Sequence, residues 1–281
     1  MQTTYSTGWK NYELIDAGGG KKLEKWGEIT TIRPDRNAYF PPVLPEREWR
    51  DKVDFEFIET SVNTGEWIKR NPVAPTEWTI KYGKVIANLK LTKFKHIGIF
   101  PEQQINWDFI QNKVKEGDNF LNLFGYTGVA SLIAKANNAN VVHCDSVKQV
   151  ISWAKENMES SNMEDVKWVL DDALKFAKRE VKRGNKYEGI IMDPPAFGIA
   201  KKERWRLEDK FTELLQTAKK LMTENGFVIV NTYSPKLDFG AIKRAANSVF
   251  TNNKVEITRL SMKTTTGKRL DFGELTKITT L

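Results

Sequence analysis

Between residues 119 and 250 the chain alternates short apolar runs with longer amphipathic segments, and this alternation restricts its fold more than any other feature. A short apolar run bounded by turn residues reads as a strand buried on both faces. Amphipathic stretches between successive runs read as helices covering a parallel sheet. The pattern predicts strands over residues 120–124, 141–144, 166–170, 187–192 and 226–230. It predicts helices over 129–136, 147–160, 173–183, 205–222 and 239–250. Two last segments, 255–262 and 274–280, alternate with period two around residues 264–269, which predicts a closing antiparallel pair.

The first hundred or so residues follow another pattern. Trp9, Trp26, Trp49, Trp67 and Trp78 sit among prolines and short alternating segments, such as 78–81 and 84–89, with a turn at Tyr82-Gly83. This predicts a small strand-rich N-terminal domain over residues 1–93, followed by an α/β domain over 94–281. Gly18-Gly19-Gly20 reads as a turn.

In a parallel α/β sheet, ligands collect at the carboxyl ends of the strands. Three predicted strands end on functional residue types. The first runs into Asn122-Leu123-Phe124-Gly125-Tyr126-Thr127-Gly128, whose glycines let backbone approach a ligand closely. The second ends on Asp145-Ser146, about 20 residues beyond Gly125, the offset at which an acid accepts both hydroxyls of a ribose. The third ends on Asp171-Asp172-Ala173, where a carboxylate, an acceptor-only group, suits an adenine amino group. Each acid has a plain alternative as a helix N-cap. In conjunction they describe an adenosine laid across three strand ends. A nicotinamide dinucleotide fits less well, because the loop lacks the third glycine of G-x-G-x-x-G and Asp193 would repel phosphate.

The fourth strand stops on Asp193-Pro194-Pro195-Ala196-Phe197. Proline has no N–H and cannot continue a ladder, so a carboxylate and free carbonyls are left at the sheet rim, facing any ligand there. A single cysteine, Cys144, excludes an internal disulfide or a multi-thiolate metal site, and two histidines argue against a His-based metal centre. The N-terminus shows no secretory pattern and no apolar stretch is long enough to span a bilayer, so a cytoplasmic protein free of membrane and metal is expected. Net charge is +8, which favours a polyanionic partner.

Taken in order, the glycine loop, Asp145, Asp172 and Asp193-Pro194-Pro195 resemble the class I S-adenosylmethionine-dependent methyltransferases. Residues 121–128 and 192–197, with His96-Ile97-Gly98-Ile99-Phe100-Pro101-Glu102-Gln103, are similar to the bacterial large-subunit ribosomal RNA methyltransferases that modify cytosine C5 or guanine N7. The resemblance implies a Rossmann-like seven-stranded sheet with an antiparallel last strand. It implies S-adenosylmethionine as cofactor, held by Gln103, Asn122, Phe124, Gly125, Thr127, Gly128, Asp145, Ser146, Asp172 and Ala173. Ribosomal RNA is the substrate it implies, with a protein or small-molecule acceptor as the alternative.

Methyl transfer from a sulfonium is an in-line displacement that depends on aiming one lone pair. Asp193 and the Pro194 carbonyl would orient the acceptor through its N–H groups, with Phe197 either stacking on a base or packed beneath the loop. Lys201, Arg204 and Trp205 would bind nucleic-acid backbone and an exposed base, or else form the first turn of a solvated helix with Trp205 packed inward. Covalent activation of cytosine C5 needs a cysteine beside the base. In the cytosine-C5 relatives it follows the fifth strand, where this chain has Asn231-Thr232-Tyr233-Ser234-Pro235. Cys144 precedes Asp145 and points to the opposite face, so a direct transfer to nitrogen or oxygen is expected.

Overall fold

A computed structural model describes residues 1–61, 64–200 and 203–281. It separates an α/β unit, Met1–Thr4 with Asn106–Leu260 and Gly273–Leu281, from a strand-rich unit, Tyr5–Ile105 with Ser261–Phe272. This partition differs from a single cut after residue 93. The strand-rich unit runs on to Ile105 and takes in the tip of the C-terminal hairpin. Hydrogen bonds hold that tip, since the Thr265 N–H donates to the Leu14 carbonyl (2.9 Å) and the Thr266 hydroxyl to the Asp16 carboxylate (2.7 Å).

After β1 (Thr3–Tyr5), the strands β2 (Tyr12–Gly18), β3 (Lys21–Trp26), β4 (Ile29–Pro34), β5 (Phe55–Glu59) and β6 (Gly65–Lys69) form a five-stranded sheet in chain order. Helix α1 (Glu46–Lys52) falls between β4 and β5, and β7 (Glu77–Tyr82) pairs with β8 (Val85–Lys90) as a separate hairpin. That hairpin forms where the alternation predicts it. Strand β3 buries Lys22, Leu23, Glu24 and Trp26, so charged side chains lie inside. Glu24 accepts from Arg33 Nε (2.7 Å), Arg33 Nη2 (2.8 Å) and the Tyr12 hydroxyl (2.8 Å), with Lys22 Nζ at 3.3 Å. Burial pushes the Glu24 pKa up, but Arg33 and Lys22 outweigh it and hold the carboxyl below its ordinary value.

The chain then forms α2 (Gln104–Lys113), β9 (Asn119–Leu123), α3 (Val129–Lys135), β10 (Asn140–Asp145), α4 (Lys148–Ser160), β11 (Val166–Leu170), α5 (Ala173–Lys182) and β12 (Tyr187–Met192). A small antiparallel hairpin of β13 (Phe197–Ala200) and β14 (Glu203–Arg206) precedes α6 (Leu207–Leu221), β15 (Met222–Thr232), α7 (Phe239–Val249), β16 (Asn253–Lys263) and β17 (Arg269–Thr280). The main sheet has the order β1-β16-β17-β15-β12-β9-β10-β11. Strands β11, β10, β9, β12 and β15 are parallel, and β17 is antiparallel to β15. The expected seven strands are therefore joined by an eighth, β1, where the Arg259 N–H donates to the Gln2 carbonyl (2.9 Å).

One apolar cluster of this unit packs helices α5, α6 and α7 onto the sheet. Leu121, Leu123, Ile190, Met192, Val228 and Val230 from the strands meet Phe176, Phe211, Leu214, Leu215 and Ile242 from the helices. Each such side chain contributes about 1.5–3 kcal/mol on full burial. Connections from β9 proceed one way to β10 and β11, and then the chain returns to place β12 on the other side of β9. The order reverses between β9 and β12, which is where ligands bind in open α/β sheets.

Candidate active site

Strand register brings the ends of β12, β9, β10 and β11 to one rim. Met192, Leu123 and Cys144 are partners across β12, β9 and β10, and Asp145 pairs with Leu170 of β11. Asp193 and Phe124 therefore leave the sheet side by side, with Asp145 one strand further on. Two strand spacings, about 10 Å, separate the acids Asp193 and Asp145.

The loop between β9 and α3 is held in an uncommon conformation. Phe124 (φ 60°) and Tyr126 (φ 50°) both occupy the left-handed region, at a cost of about 1–2 kcal/mol each. Backbone bonds maintain it: Gly125 N–H to the Cys144 carbonyl (3.0 Å), Tyr126 N–H to Asp145 Oδ2 (3.0 Å) and Gly128 N–H to the Gly125 carbonyl (3.0 Å). A Cβ on Gly125 would lie 2.3 Å from the His143 ring, so the close approach requires glycine. Gly128, also left-handed, caps α3.

Beneath the loop lies a buried polar chain. The Asn122 amide donates to Ser131 Oγ (2.9 Å), which meets His143 Nδ1 at 2.9 Å. Burial pushes the His143 pKa down to about 3, leaving a neutral imidazole. Asn122 thus supports the loop from below, and its amide is engaged inward. Thr127 is buried as well, and its carbonyl accepts from the Asn157 amide (2.9 Å).

Asp145 takes up both roles that sequence reasoning left open. Its Oδ1 accepts from the Val147 N–H (2.9 Å) while Oδ2 orders the glycine loop. Burial raises its pKa against the opposing backbone donors of Val147, Tyr126 and Ser146. Each carboxylate oxygen has a second lone pair for a ligand hydroxyl. Asp172 is the N-cap of α5, with Oδ1 accepting from the Lys175 N–H (2.8 Å), and Ala173 is buried in the first turn. Asp171 is ion-paired with Arg179.

Beyond Asp193, the hairpin β13/β14 replaces the helix start expected at Trp205. The Trp205 Nε1–H donates to the Pro195 carbonyl (2.6 Å) and its ring lies 5.3 Å from that of Phe124, contacts that hold Trp205 in an extended strand. The Phe124 ring therefore packs on Trp205, and Trp205 is a structural brace between the glycine loop and the Asp193-Pro194-Pro195 turn. Pro194 is buried, while Phe197 is 56% exposed, in keeping with a ring available to a ligand. Arg204 is exposed on β14, and Lys201 lies outside the described residues. Gln103 is buried in a 3-10 turn, Pro101–Gln103, that belongs to the strand-rich unit.

Sequence reasoning missed two residues at the rim. Val147, just after Asp145-Ser146, and Leu170, in register with Asp145, are 46% and 55% exposed. Apolar residues flanking strand-end acids were the available signal. Cys144 is fully buried, and burial, reinforced by Asp171, Asp145 and Asp172, pushes its thiol up to about 12. Among the described residues no three His, Cys, Asp or Glu side chains cluster as a metal site, and no helix is long and apolar enough to cross a membrane.

The chain is similar to known methyltransferases in sequence and in fold. A SAM-dependent methyltransferase from Agrobacterium tumefaciens is 30% identical with a TM-score of 0.91, covering 99% of this chain and 97% of that one. A structure solved in complex with SAH is 18% identical with a TM-score of 0.80, over 97% of this chain and 76% of that one, and shares the fold. The ribosomal RNA large subunit methyltransferase K/L of Shewanella frigidimarina is 33% identical over 206 residues, which are 71% of this chain and 28% of that protein. The chain thus spans little more than a quarter of that relative's length. The model of the family described as conserved hypothetical protein 95 matches residues 103–254, more than half of the chain, and the chain belongs to that family.

Proposed function

We propose that this member of the family is an S-adenosylmethionine-dependent methyltransferase acting by direct in-line transfer on a base nitrogen of RNA, with ribosomal RNA favoured. The observation that carries the reading is the register of β12, β9, β10 and β11, which lines Asp193, the glycine loop, Asp145 and Asp172 along one rim at the reversal in strand order. The residues fit the cofactor: a glycine position where a side chain would clash, acids with spare lone pairs at two strand ends, and exposed Val147 and Leu170 to flank an adenine ring.

Asp145 would accept the ribose hydroxyls and Asp172 Oδ2 the adenine amino group, with the Ala173 N–H among the first-turn donors of α5. Bound S-adenosylmethionine supplies an electrophilic methyl carbon on a sulfonium. Asp193 and the Pro194 carbonyl accept from the acceptor's N–H groups and aim its lone pair, and Phe197 stacks on its ring. Such positioning contributes about 7–11 kcal/mol in well-oriented systems. The Pro195 carbonyl, engaged by Trp205, is left to fix the turn. With Cys144 buried and its thiol held protonated, transfer proceeds without a covalent adduct.

The test is Asp193→Ala. Methyl transfer to ribosomal RNA should fall at least about 100-fold while calorimetric affinity for S-adenosylmethionine stays within about twofold. Retained transfer would remove Asp193 from the reaction. Binding of RNA should also weaken steeply with salt, which a neutral small-molecule acceptor would not do.

A further inference from the structure

The strand-rich unit carries an exposed aromatic segment that the methyl-transfer site does not use. It lies between β4 and α1, and its backbone is fastened throughout. Gly20 N–H donates to the Ala38 carbonyl (2.7 Å) and Gly19 N–H to the Phe40 carbonyl (2.9 Å). The fully buried Asp16 carboxylate accepts from Val43 N–H (3.1 Å), Leu44 N–H (2.8 Å), Trp49 Nε1–H (3.1 Å) and the Thr266 hydroxyl (2.7 Å). Pro42 presses so closely on the end of β2 that a Cβ on Gly18 would lie 2.2 Å from its nitrogen.

On this held segment Tyr39 stands 87% exposed, edge-on to Phe40 with ring centroids 6.0 Å apart. The Lys268 ammonium sits 5.6 Å over the Phe40 ring, and Arg36 is exposed three residues before Tyr39. Neighbouring carboxylates are already committed, Asp35 to Lys22 (3.4 Å) and Asp271 to Arg269 (3.0 Å). Among the described residues, neither Arg36 nor Lys268 has a carboxylate within ion-pair distance. A buried acid thus anchors a loop that offers a bare ring, with one uncompensated cation over the neighbouring Phe40 and another three residues earlier in the chain.

We infer that this face docks single-stranded RNA, one base stacking on Tyr39 while Lys268 and Arg36 meet flanking phosphates. Rings alternating with cations bind single strands in this way, because every base has a π-face and every linkage a charge. The inference rests on the reading of RNA as substrate. A proline-binding protein could instead grip Phe40-Pro41-Pro42 as an extended ligand, but that mode has no use for two free cations.

Fluorescence anisotropy with a labelled 20-nucleotide oligouridine tests it, alongside methyl transfer to ribosomal RNA by the same preparations. Tyr39→Ala should weaken oligouridine binding roughly five- to 100-fold, with Tyr39→Phe close to wild type. Lys268→Ala should flatten the slope of log K against log salt by about 0.7. Val73→Ala, at a site 88% exposed in the same unit, should change nothing. Unchanged binding by Tyr39→Ala, or no binding by the wild type, overturns the docking surface. Failure of the wild type to methylate RNA is a separate readout, which overturns the substrate class.

Discussion

The strands of the α/β unit point aliphatic side chains inward, as in Gly189-Ile190-Ile191-Met192 and Phe227-Val228-Ile229-Val230, whereas β2, β3 and β4 of the strand-rich unit fold Asp16, Lys22, Glu24 and Arg33 inward. The two interiors respond to damage differently. An aliphatic core loses transfer energy and gains a cavity, while a buried ion cluster leaves an uncompensated charge when one member is removed. Each unit also places a carboxylate where it orders a loop: Asp145 beneath the glycine loop, Asp16 beneath the Tyr39 segment.

Removing Arg33 should separate the two interiors most widely. Arg33→Met should cost about 3–5 kcal/mol in denaturant unfolding, and Glu24→Met added to it should recover part of that loss, because the pair then leaves no orphaned charge. Since the folded-state pKa of Glu24 is lowered, its contribution is present above the ordinary carboxylate pKa and is lost as pH falls through the folded value. The Arg33→Met penalty should therefore shrink in acid. A truncation such as Leu214→Ala in the other unit, costing about 2–5 kcal/mol, should show no such dependence. Equal pH dependence of the two would erase the distinction.

A smaller effect is expected at Gly125→Ala, where the added methyl meets a buried ring that cannot swing away. The cost should be about 1–3 kcal/mol by thermal unfolding, with S-adenosylmethionine affinity falling alongside. Unaltered affinity would show that the loop does not cradle the cofactor.

These differences explain what could be read from the residues alone. Strands β9, β10 and β12 were legible because largely apolar runs inside a sheet have few other uses, edge strand β11, which leaves Lys167 and Leu170 exposed, was legible from its place in the alternation, and the three acids and glycine loop were legible because they sit at the ends of those runs. Strand β3, Lys-Lys-Leu-Glu-Lys-Trp, has a charged residue at two of its four buried positions, so hydropathy does not reveal which face is inside. Trp205 was misplaced for another reason: its indole bond to Pro195 and contact with Phe124 are tertiary, and they override a sequence that continues smoothly into α6. The left-handed Phe124 and Tyr126 were likewise invisible, since bulky aromatics disfavour that conformation and tertiary bonds, to Asp145 and the Cys144 carbonyl among others, hold it.

Acid should also act on the α/β unit, through His143. Its folded pKa of about 3 lies below the unfolded value near 6.5, so the neutral ring's contribution is complete above pH 6.5 and declines by about 1.4 kcal/mol per pH unit as pH falls toward 3. His143→Gln, measured by unfolding at several pH values, should flatten that decline. A slope identical to wild type would mean that the ring is protonated in the fold.

The smallest effect is expected at Cys144. With the thiol buried and pushed up to about 12, a thiol-blocking reagent under native conditions should leave methyl transfer unchanged. Loss of transfer without unfolding would restore a covalent route.

The central claim, that the rim of the α/β unit methylates an RNA base, is tested most directly by incubating the purified protein with S-adenosylmethionine bearing a deuterated methyl group and ribosomal RNA from cells lacking its gene, then digesting the RNA to nucleosides for mass spectrometry. One deuterium-labelled nucleoside carrying the methyl on a base nitrogen is expected, absent from the Asp193→Ala reaction. No labelled nucleoside from a protein that binds S-adenosylmethionine, or a label at cytosine C5, would contradict it.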